Sequence, residues 1–209
     1  LKRADLASEE VDEIIIGQVL TAGTGQNPAR QAAMEAGIPV SKPSHIVNQV
    51  CGSGLRAVIS GLQSIKLGES SKVITGGQES MSITPNLIFN KNLKKNLENE
   101  LVDTMVYDGL LDAFNNYHMG VTAENVAKQF HISREQQDEF ALDSQKKTQD
   151  AINNGKFKNE LVEINLNGNC LKEDEHPRDN LTLTDLQRLK TVFMENGTVT
   201  PGNSSGIND

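Results

Sequence analysis

The sequence predicts an α/β fold in which short parallel strands alternate with covering helices. Apolar runs at 14–20, 45–50 and 73–75 are typical of buried strands. Helical patterns fill the two intervals between them, and glycine and proline residues mark the turns. The resulting βαβαβ order over the first 80 residues favours a mostly parallel sheet, whose ligands usually meet loops at the carboxyl ends of strands.

The first helix is predicted from its two ends. Asn27 is a suitable N-cap, Pro28 fits the first helical position, and Gly37 suits the position after the last turn. The helix is therefore expected over 28–36.

The second helix is predicted over 53–67 and closed by Gly68. Small or apolar residues occupy nearly all of its sides, which predicts a helix buried at the centre of the molecule. They are Gly54, Leu55, Ala57, Val58, Ile59, Gly61, Leu62 and Ile65.

Beyond residue 80 the composition changes, and a second, inserted segment is expected. Residues 86–100 are polar and rich in asparagine and lysine, and few strands are visible. A long helix begins at a capping box formed by Ser133 and Gln136 and closes at Gly155. Its shared face is predicted to contain Gln137, Phe140, Ala141, Ser144, Thr148 and Ala151. The predicted domains are residues 1–80 and 81–209.

Composition excludes several classes of function. The chain has 28 acidic and 20 basic residues and no dense basic stripe, so neither a nucleic-acid partner nor a membrane partner is expected. No apolar run approaches the roughly 20 residues of a membrane span, and the first 20 residues carry acids, which favours a cytoplasmic protein. Cys51 and Cys170 are the only cysteines and neither lies in a CxxC pair, so neither a disulfide framework nor a metal site is predicted.

Cys51 is the residue with the clearest chemical potential. A predicted strand delivers it directly to the first turn of a helix, where unpaired N–H groups and the helix dipole favour a thiolate. The same N–H groups could hold an oxyanion, and Gly52 and Gly54 leave room for a substrate. A buried core cysteine before a glycine-rich cap explains the residues equally well, and both interpretations stay open at this level.

Four ordered motifs decide between them. The runs are Asn-Gln-Val-Cys-Gly-Ser-Gly-Leu-Arg-Ala at 48–57, Gly-Gly-Gln-Glu-Ser-Met-Ser at 76–82, the segments at 103–110 and 117–126, and Thr-Pro-Gly-Asn-Ser-Ser-Gly-Ile-Asn-Asp at 200–209. Together they resemble the thiolase family, of the acetyl-CoA acetyltransferase type. The resemblance covers essentially the whole chain and implies a thiolase-like fold, an N-terminal core half with an inserted, mostly helical loop domain.

The resemblance implies an acyltransferase with Cys51 as its catalytic nucleophile. The thiolate would attack a thioester, form an acyl-enzyme, and join or release acetyl units in exchange between acetyl-CoA, acetoacetyl-CoA and CoA. Cysteine suits this reaction because it is both a nucleophile and a leaving group. No cofactor and no metal is implied.

The resemblance also implies residues that bind the coenzyme A substrates. His118 and Met119 match residues at the pantetheine end of the pocket, and Leu110 matches another pocket residue. Arg178 falls where relatives bind coenzyme A, and Ser205 falls where they place a serine near the pantetheine. Asp185 departs from the pattern, because several relatives carry a serine there and a carboxylate would repel phosphate.

Related thiolases are roughly twice as long, so the resemblance implies a fragment that lacks the first strand and the C-terminal half. That half supplies an activating histidine, an oxyanion-holding asparagine and a second cysteine in relatives, so the chain alone is expected to lack turnover. A homodimer or homotetramer is expected by analogy. The alternatives are a 3-ketoacyl-CoA thiolase of broader chain length, a ketoacyl synthase of the same superfamily, and a non-catalytic fragment.

Overall fold

The computed structural model describes residues 1–88 and 101–209, which divide into two compact units. The first unit is Leu1–Leu111 together with Asp209, and the second is Asp112–Asn208. Residues 89–100, most of the polar stretch at 86–100, lie outside the described residues. The compact units divide after Leu111, whereas the predicted domains divide after residue 80. That domain division, which concerns a core and an insertion, stays a prediction.

The first unit contains the predicted βαβαβ core. Its elements are β1 (Glu13–Gly17), α1 (Pro28–Glu35), β2 (Ser44–Val47), α2 (Ser53–Leu67) and β3 (Val73–Gly77). The strands form one sheet in the order β2-β1-β3, and β1 pairs in parallel with both neighbours. All three carboxyl ends therefore lie at the same edge of the sheet.

Two strands are shorter than the apolar runs that predicted them. β1 ends at Gly17 and β2 ends at Val47, three residues earlier than expected in each case. For β2 the reason is local: the Asn48 side-chain oxygen accepts a hydrogen bond from the Val50 amide at 2.9 Å, and Val50 has φ 48°. A turn replaces the last part of the strand.

The two faces of the sheet are covered differently. On one face, Val11, Ile14, Ala33 and Ile38 form a buried apolar cluster between β1 and α1. On the other, α2 lies directly on the sheet, because a Cβ at Gly61 would stand 2.6 Å from Thr75 Cγ2. Close helix–sheet packing therefore depends on a glycine.

The expectation that α2 is buried on nearly all sides is wrong for this chain. Only one face is buried, since the sheet covers one side and no element of the described first unit covers the opposite side. The buried face consists of Ser53, Ala57, Gly61 and Ser64. The exposed apolar stripe consists of Leu55, Val58, Ile59, Leu62 and Ile65.

The rest of the first unit follows the sheet. Strand β4 (Asn86–Ile88) pairs antiparallel with β5 (Leu101–Asp103), and a short π-helix spans Met105–Leu110. Thr104 lies between β5 and the π-helix, is buried, and donates its hydroxyl to Pro85 O at 2.6 Å.

The second unit is mostly helical. It contains α3 (Met119–Gln129), α4 (Arg134–Asn153), a hairpin of β6 (Ile164–Leu166) and β7 (Asn169–Leu171), and α5 (Leu183–Gln187). Together with β4 and β5 of the first unit, this hairpin gives more strands beyond residue 80 than the sequence indicated. No helix within residues 1–88 and 101–209 is long and apolar enough to cross a membrane.

Helix α4 begins as predicted, but the face predicted for packing is only partly buried. The Ser133–Gln136 capping box is confirmed, with reciprocal hydrogen bonds of 3.2 and 2.8 Å. Phe140, expected on the packing face, is 78% exposed, whereas Asp138 is completely buried. A charged residue is thus the centre of the buried face, which hydrophobic periodicity cannot detect.

Candidate active site

Cys51 lies where the sequence placed it, after a parallel strand and immediately before a long helix. It follows β2, and α2 begins two residues later with Gly52 as its N-cap. Its thiol is free and the residue is exposed. The alternative of a buried core cysteine is therefore wrong.

The turn before Cys51 holds the backbone in an unfavourable conformation. Val50 has φ 48°, a left-handed value that a β-branched residue rarely adopts and that costs on the order of 1–3 kcal/mol. The buried Ser53 hydroxyl accepts from the Gln49 amide at 2.9 Å and donates to Val50 O at 2.6 Å. With the Asn48 contact, these bonds keep the turn in the shape that presents Cys51.

Glycines seat the start of α2 against the sheet. A Cβ at Gly17, the last residue of β1, would stand 2.6 Å from Ser53 O. At Gly77, the last residue of β3, a Cβ would lie 3.8 Å from Gly54 Cα. The helix that carries Cys51 at its start therefore rests on the carboxyl ends of two strands at backbone-to-backbone distance.

Two N–H groups at this helix start are already occupied. The Gly52 amide donates to Gln49 O and the Ser53 amide to Val50 O, both at 3.0 Å. The expectation that the N–H groups of this first turn could also hold an oxyanion is wrong for these two, because the turn itself uses them.

Glu79 ties together the loops that follow β1 and β3. Its carboxylate accepts hydrogen bonds from the amides of Val19 and Leu20, each at 3.0 Å. Beside it, the Gln78 side chain donates to Gln18 Oε1 at 2.8 Å. These loops lie at the sheet edge where Cys51 emerges, so Glu79 stabilises one border of the candidate site.

Two further parts of the first unit reach the same loops. Leu110 ends the π-helix, and a Cβ at the preceding Gly109 would contact Leu20 at 3.6 Å, which places this predicted pocket residue beside the β1 loop. Asp209 accepts from the Met81 and Ser82 amides at 2.7 and 2.9 Å. Hydrogen bonds from the Ser82 hydroxyl, then the Ser82 and Met81 amides, lower the pKa of Asp209.

Cys170, the other thiol, has a less reactive setting. It lies on β7, and Glu163 Oε2 is 3.8 Å from its sulfur. Partial desolvation, followed by the charge and hydrogen bond of Glu163, raises the pKa of the Cys170 thiol. The thiolate that nucleophilic chemistry needs is thus disfavoured at Cys170.

In the second unit, His118 is the N-cap of α3 and Met119 is its first residue. His118 Nδ1 accepts from the Gly120 amide at 3.0 Å, so the proton of the neutral ring is on Nε2. The ring stacks on Phe193 with centroids 4.8 Å apart. Phe193 also fills the space beside Gly120, where a Cβ would collide with its ring.

Arg178 and Ser205 are both exposed residues of the second unit. The Arg178 amide donates to Gln145 Oε1 of α4 at 3.0 Å, which holds the backbone of this exposed residue. The His176 ring lies against Gly206, where a Cβ would be 2.8 Å from Nδ1. The segments that carry Arg178 and Ser205 are therefore neighbours.

Asp185, the departure from the family pattern, has a structural role. It is the third residue of α5, and its carboxylate accepts from the Thr182 amide at 3.0 Å and the Thr182 hydroxyl at 2.5 Å. These bonds, the hydroxyl first, lower the pKa of Asp185. The residue closes a capping box at the helix start, a role that the Thr-x-x-Asp spacing could have indicated.

The match to a family model covers the whole chain. The model described as the N-terminal domain of thiolase matches residues 1–209. The chain belongs to the thiolase family. The curated relatives agree: an acetyl-CoA acetyltransferase from Shinella zoogloeoides is 49% identical over 213 residues, and a probable acetyl-CoA acyltransferase from Staphylococcus aureus strain COL is 48% identical over 215.

Solved thiolase structures have the same fold. The acetyl-CoA acetyltransferase of Bacillus anthracis superposes with a TM-score of 0.91, and the Acat5 thiolase of Ascaris suum, solved with coenzyme A, with 0.92. Each is 36% identical to this chain, and each match covers 100% of this chain. The predicted thiolase fold is confirmed. The chain spans about half the length of its relatives, 54% of the Shinella protein and of both solved chains.

Within this thiolase domain, sequence reasoning missed the residues that support the site. Gly17 could have been noticed as a glycine at the end of an apolar strand, which often marks close backbone approach. Glu79 stood inside a quoted motif without a role. Phe193 gave no local signal, because its partner His118 lies elsewhere in the sequence.

Proposed function

We propose that this chain is the N-terminal half of an enzyme that transfers acyl groups between coenzyme A thioesters through an acyl intermediate on Cys51. In one direction two acetyl-CoA give acetoacetyl-CoA and CoA, and in the other CoA cleaves acetoacetyl-CoA. The thioester carbonyl carbon forms a bond to Cys51 Sγ, and the CoA thiol leaves. The second acetyl-CoA then loses an α-carbon proton to a base, for which the resemblance implies a residue of the C-terminal half. Its α-carbon bonds to the acyl carbon, the acyl–sulfur bond breaks, and Cys51 leaves as the thiolate.

One observation carries the proposal: the thiol of Cys51 is exposed at the end of a parallel strand and the start of a long helix. The strained Val50 and the buried Ser53 hold it there. Carboxyl ends of parallel strands are where α/β proteins usually bind ligands, and a helix N-terminus favours a thiolate. Partial desolvation, and then the charge of Glu163, raises the pKa of the Cys170 thiol, so the thiolate is disfavoured at that second cysteine.

Coenzyme A contacts are proposed at Leu110, His118, Met119, Arg178 and Ser205. His118 can donate only through Nε2, which suits a carbonyl of the pantetheine arm or thioester. The exposed Arg178 guanidinium can reach a phosphate or stack on adenine. The Acat5 thiolase of Ascaris suum was solved in complex with coenzyme A, which supports this ligand class for the present chain. A homodimer or homotetramer, a cytoplasmic location, and chemistry without metal or cofactor remain part of the proposal.

The competing function is a 3-ketoacyl-CoA thiolase of broader chain length, since relatives carry both acetyltransferase and acyltransferase names. The test is thiolysis by the complete polypeptide of acetoacetyl-CoA, 3-ketohexanoyl-CoA and 3-ketooctanoyl-CoA, followed as loss of substrate. We expect kcat/KM for acetoacetyl-CoA to exceed the others by at least about tenfold, the discrimination that one or two methylenes can supply. Equal values would favour the broader enzyme. No cleavage of any substrate would favour a non-catalytic protein.

A further inference from the structure

Glu124 is a buried carboxylate for which the proposed chemistry has no use. It lies on α3 and is only 7% exposed. Its oxygens accept hydrogen bonds from the Thr198 and Val199 amides, each at 2.7 Å, and from the Thr198 hydroxyl at 2.8 Å. A Cβ at Gly197 would lie 2.9 Å from Glu124 Cδ, so the segment fits closely around the carboxylate.

The two parts joined by Glu124 carry different proposed coenzyme A contacts. Its own helix begins with His118 as N-cap and Met119 as first residue. The segment that it binds at Thr198 leads within seven residues to Ser205. The Val199 carbonyl also accepts from the Val192 amide at 3.2 Å, next to the Phe193 ring that stacks on His118.

A second buried carboxylate secures the far end of the same segment. Asp138 on α4 is completely buried and accepts from Arg134 Nε at 2.7 Å and from Asn203 Nδ2 at 2.9 Å. Asn203 also donates to Thr198 O at 3.1 Å and accepts from the Thr200 amide at 2.8 Å. No strand or helix contains this segment, so side chains determine its shape.

We propose that Glu124 is a positioning residue for coenzyme A: by binding Thr198 and Val199, it fixes the Ser205 segment relative to the His118–Met119 start of α3. Asp138 secures the far end of that segment through Asn203. The inference rests on the proposed function, because it takes His118, Met119 and Ser205 as ligand contacts. Because Glu124 is buried, it acts through these residues and not by direct contact with coenzyme A.

The contact requires an acceptor-only group. Burial would raise the pKa of Glu124, but hydrogen bonds from Val199 and Thr198 outweigh it and lower that pKa. A glutamine has nearly the same shape, but its NH₂ group cannot replace Oε2, which accepts from the Thr198 amide at 2.9 Å and from the Thr198 hydroxyl at 2.8 Å. An N–H group in that place would oppose the Thr198 amide and could not accept from the hydroxyl. Glu124→Gln therefore weakens the interaction while keeping the packing.

The first experiment compares Glu124→Gln with the wild type in the complete polypeptide. The matched control is Glu139→Gln, the same change at an exposed position of α4. We expect amide hydrogen exchange at Thr198 and Val199 to be at least about tenfold faster in Glu124→Gln. We expect the Kd for coenzyme A, measured by titration calorimetry, to rise about fivefold. KM for acetoacetyl-CoA should rise by a similar factor with kcat within about twofold, and the control should match the wild type.

A second variant keeps the test decisive if Glu124→Gln unfolds. Thr198→Val removes the hydroxyl that donates to Glu124 and accepts from Gln137 Nε2 at 2.9 Å, and it leaves both amides bonded to Glu124. It should raise the Kd for coenzyme A about twofold without changing kcat, a smaller effect in the same direction. An unchanged Kd in Thr198→Val, if Glu124→Gln fails to fold, would overturn the inference.

The outcomes separate this inference from the proposed function. Faster exchange at Thr198 and Val199 with an unchanged Kd would show a structural contact only and would overturn the positioning role. Unchanged exchange would overturn the contact itself. A wild type that binds coenzyme A but cleaves no thioester would contradict the proposed reaction, while a weaker Kd in Glu124→Gln would still support the positioning role.

Discussion

The two compact units hold their candidate site residues by different means. In the first, α2 and its Cys51 rest on a parallel sheet through glycines, with backbone atoms in direct contact. In the second, the segment that leads to Ser205 belongs to no sheet or helix and is bound by two buried carboxylates, Glu124 and Asp138. In the first unit, direct contact between backbone atoms fixes the position of Cys51. In the second, hydrogen bonds to buried carboxylates fix the segment that leads to Ser205.

The difference predicts opposite sensitivities. Close backbone packing, as between α2 and the sheet, should be insensitive to pH and salt. It should not accommodate an added methyl group, because the close-packed backbone atoms have nowhere to move. A carboxylate network tolerates small changes of volume at its rim but fails when a charge is neutralised, since buried donors then lose their acceptor. Variants in each unit can test these two sensitivities separately.

The largest effect on stability is expected from Gly17→Ala. Its Cβ would stand 2.6 Å from Ser53 O, so the start of α2 must move away from β1. We expect a loss of about 3 kcal/mol in the free energy of unfolding, at the upper end for overpacking, measured by urea denaturation of the complete polypeptide. Alkylation of Cys51 should slow as well, because its helix start is displaced.

Gly76→Ala is the matched control in the same sheet. A Cβ there meets nothing within 4 Å, so the substitution should change the free energy of unfolding by less than about 1 kcal/mol. Equal destabilisation by both variants would mean that close seating at Gly17 is not what holds the helix.

A smaller, pH-dependent effect is expected in the second unit. The folded state lowers the pKa of Glu124 below its ordinary value of 4.5, so its carboxylate stabilises the fold above that pH. This contribution is lost as pH falls through the folded value. The difference in unfolding free energy between wild type and Glu124→Gln should be about 2 kcal/mol near pH 7 and should shrink below about pH 4.5.

Glu10→Gln in the first unit makes the same change at an exposed carboxylate. Hydrogen bonds from Lys72 and from the Ala7 amide lower the pKa of Glu10, but the residue is exposed. The variant should show a smaller difference that added salt reduces, as expected for a surface ion pair. A pH dependence of the Glu124→Gln difference that salt abolishes would contradict a buried carboxylate.

The same contrast explains which features could be predicted from sequence. The βαβαβ core and the bounds of α2 followed from apolar runs and capping residues, which are local signals. Hydrophobic periodicity failed at α4, where Asp138 rather than Phe140 faces inward, because a buried charge depends on a partner such as Asn203, 65 residues away. Cys51 was found through its motif, whereas the support from Gly17 became visible only in three dimensions.

The central claim is that Cys51 accepts the acyl group. The most direct measurement is mass spectrometry of the complete polypeptide after brief exposure to acetyl-CoA, with peptides that contain Cys51 and Cys170 resolved. We expect an acetyl adduct on Cys51 in the wild type and none in Cys51→Ser, because a serine hydroxyl is far less acidic than a thiol. An adduct on Cys170, or acetylation of Cys51→Ser at the wild-type rate, would contradict the account.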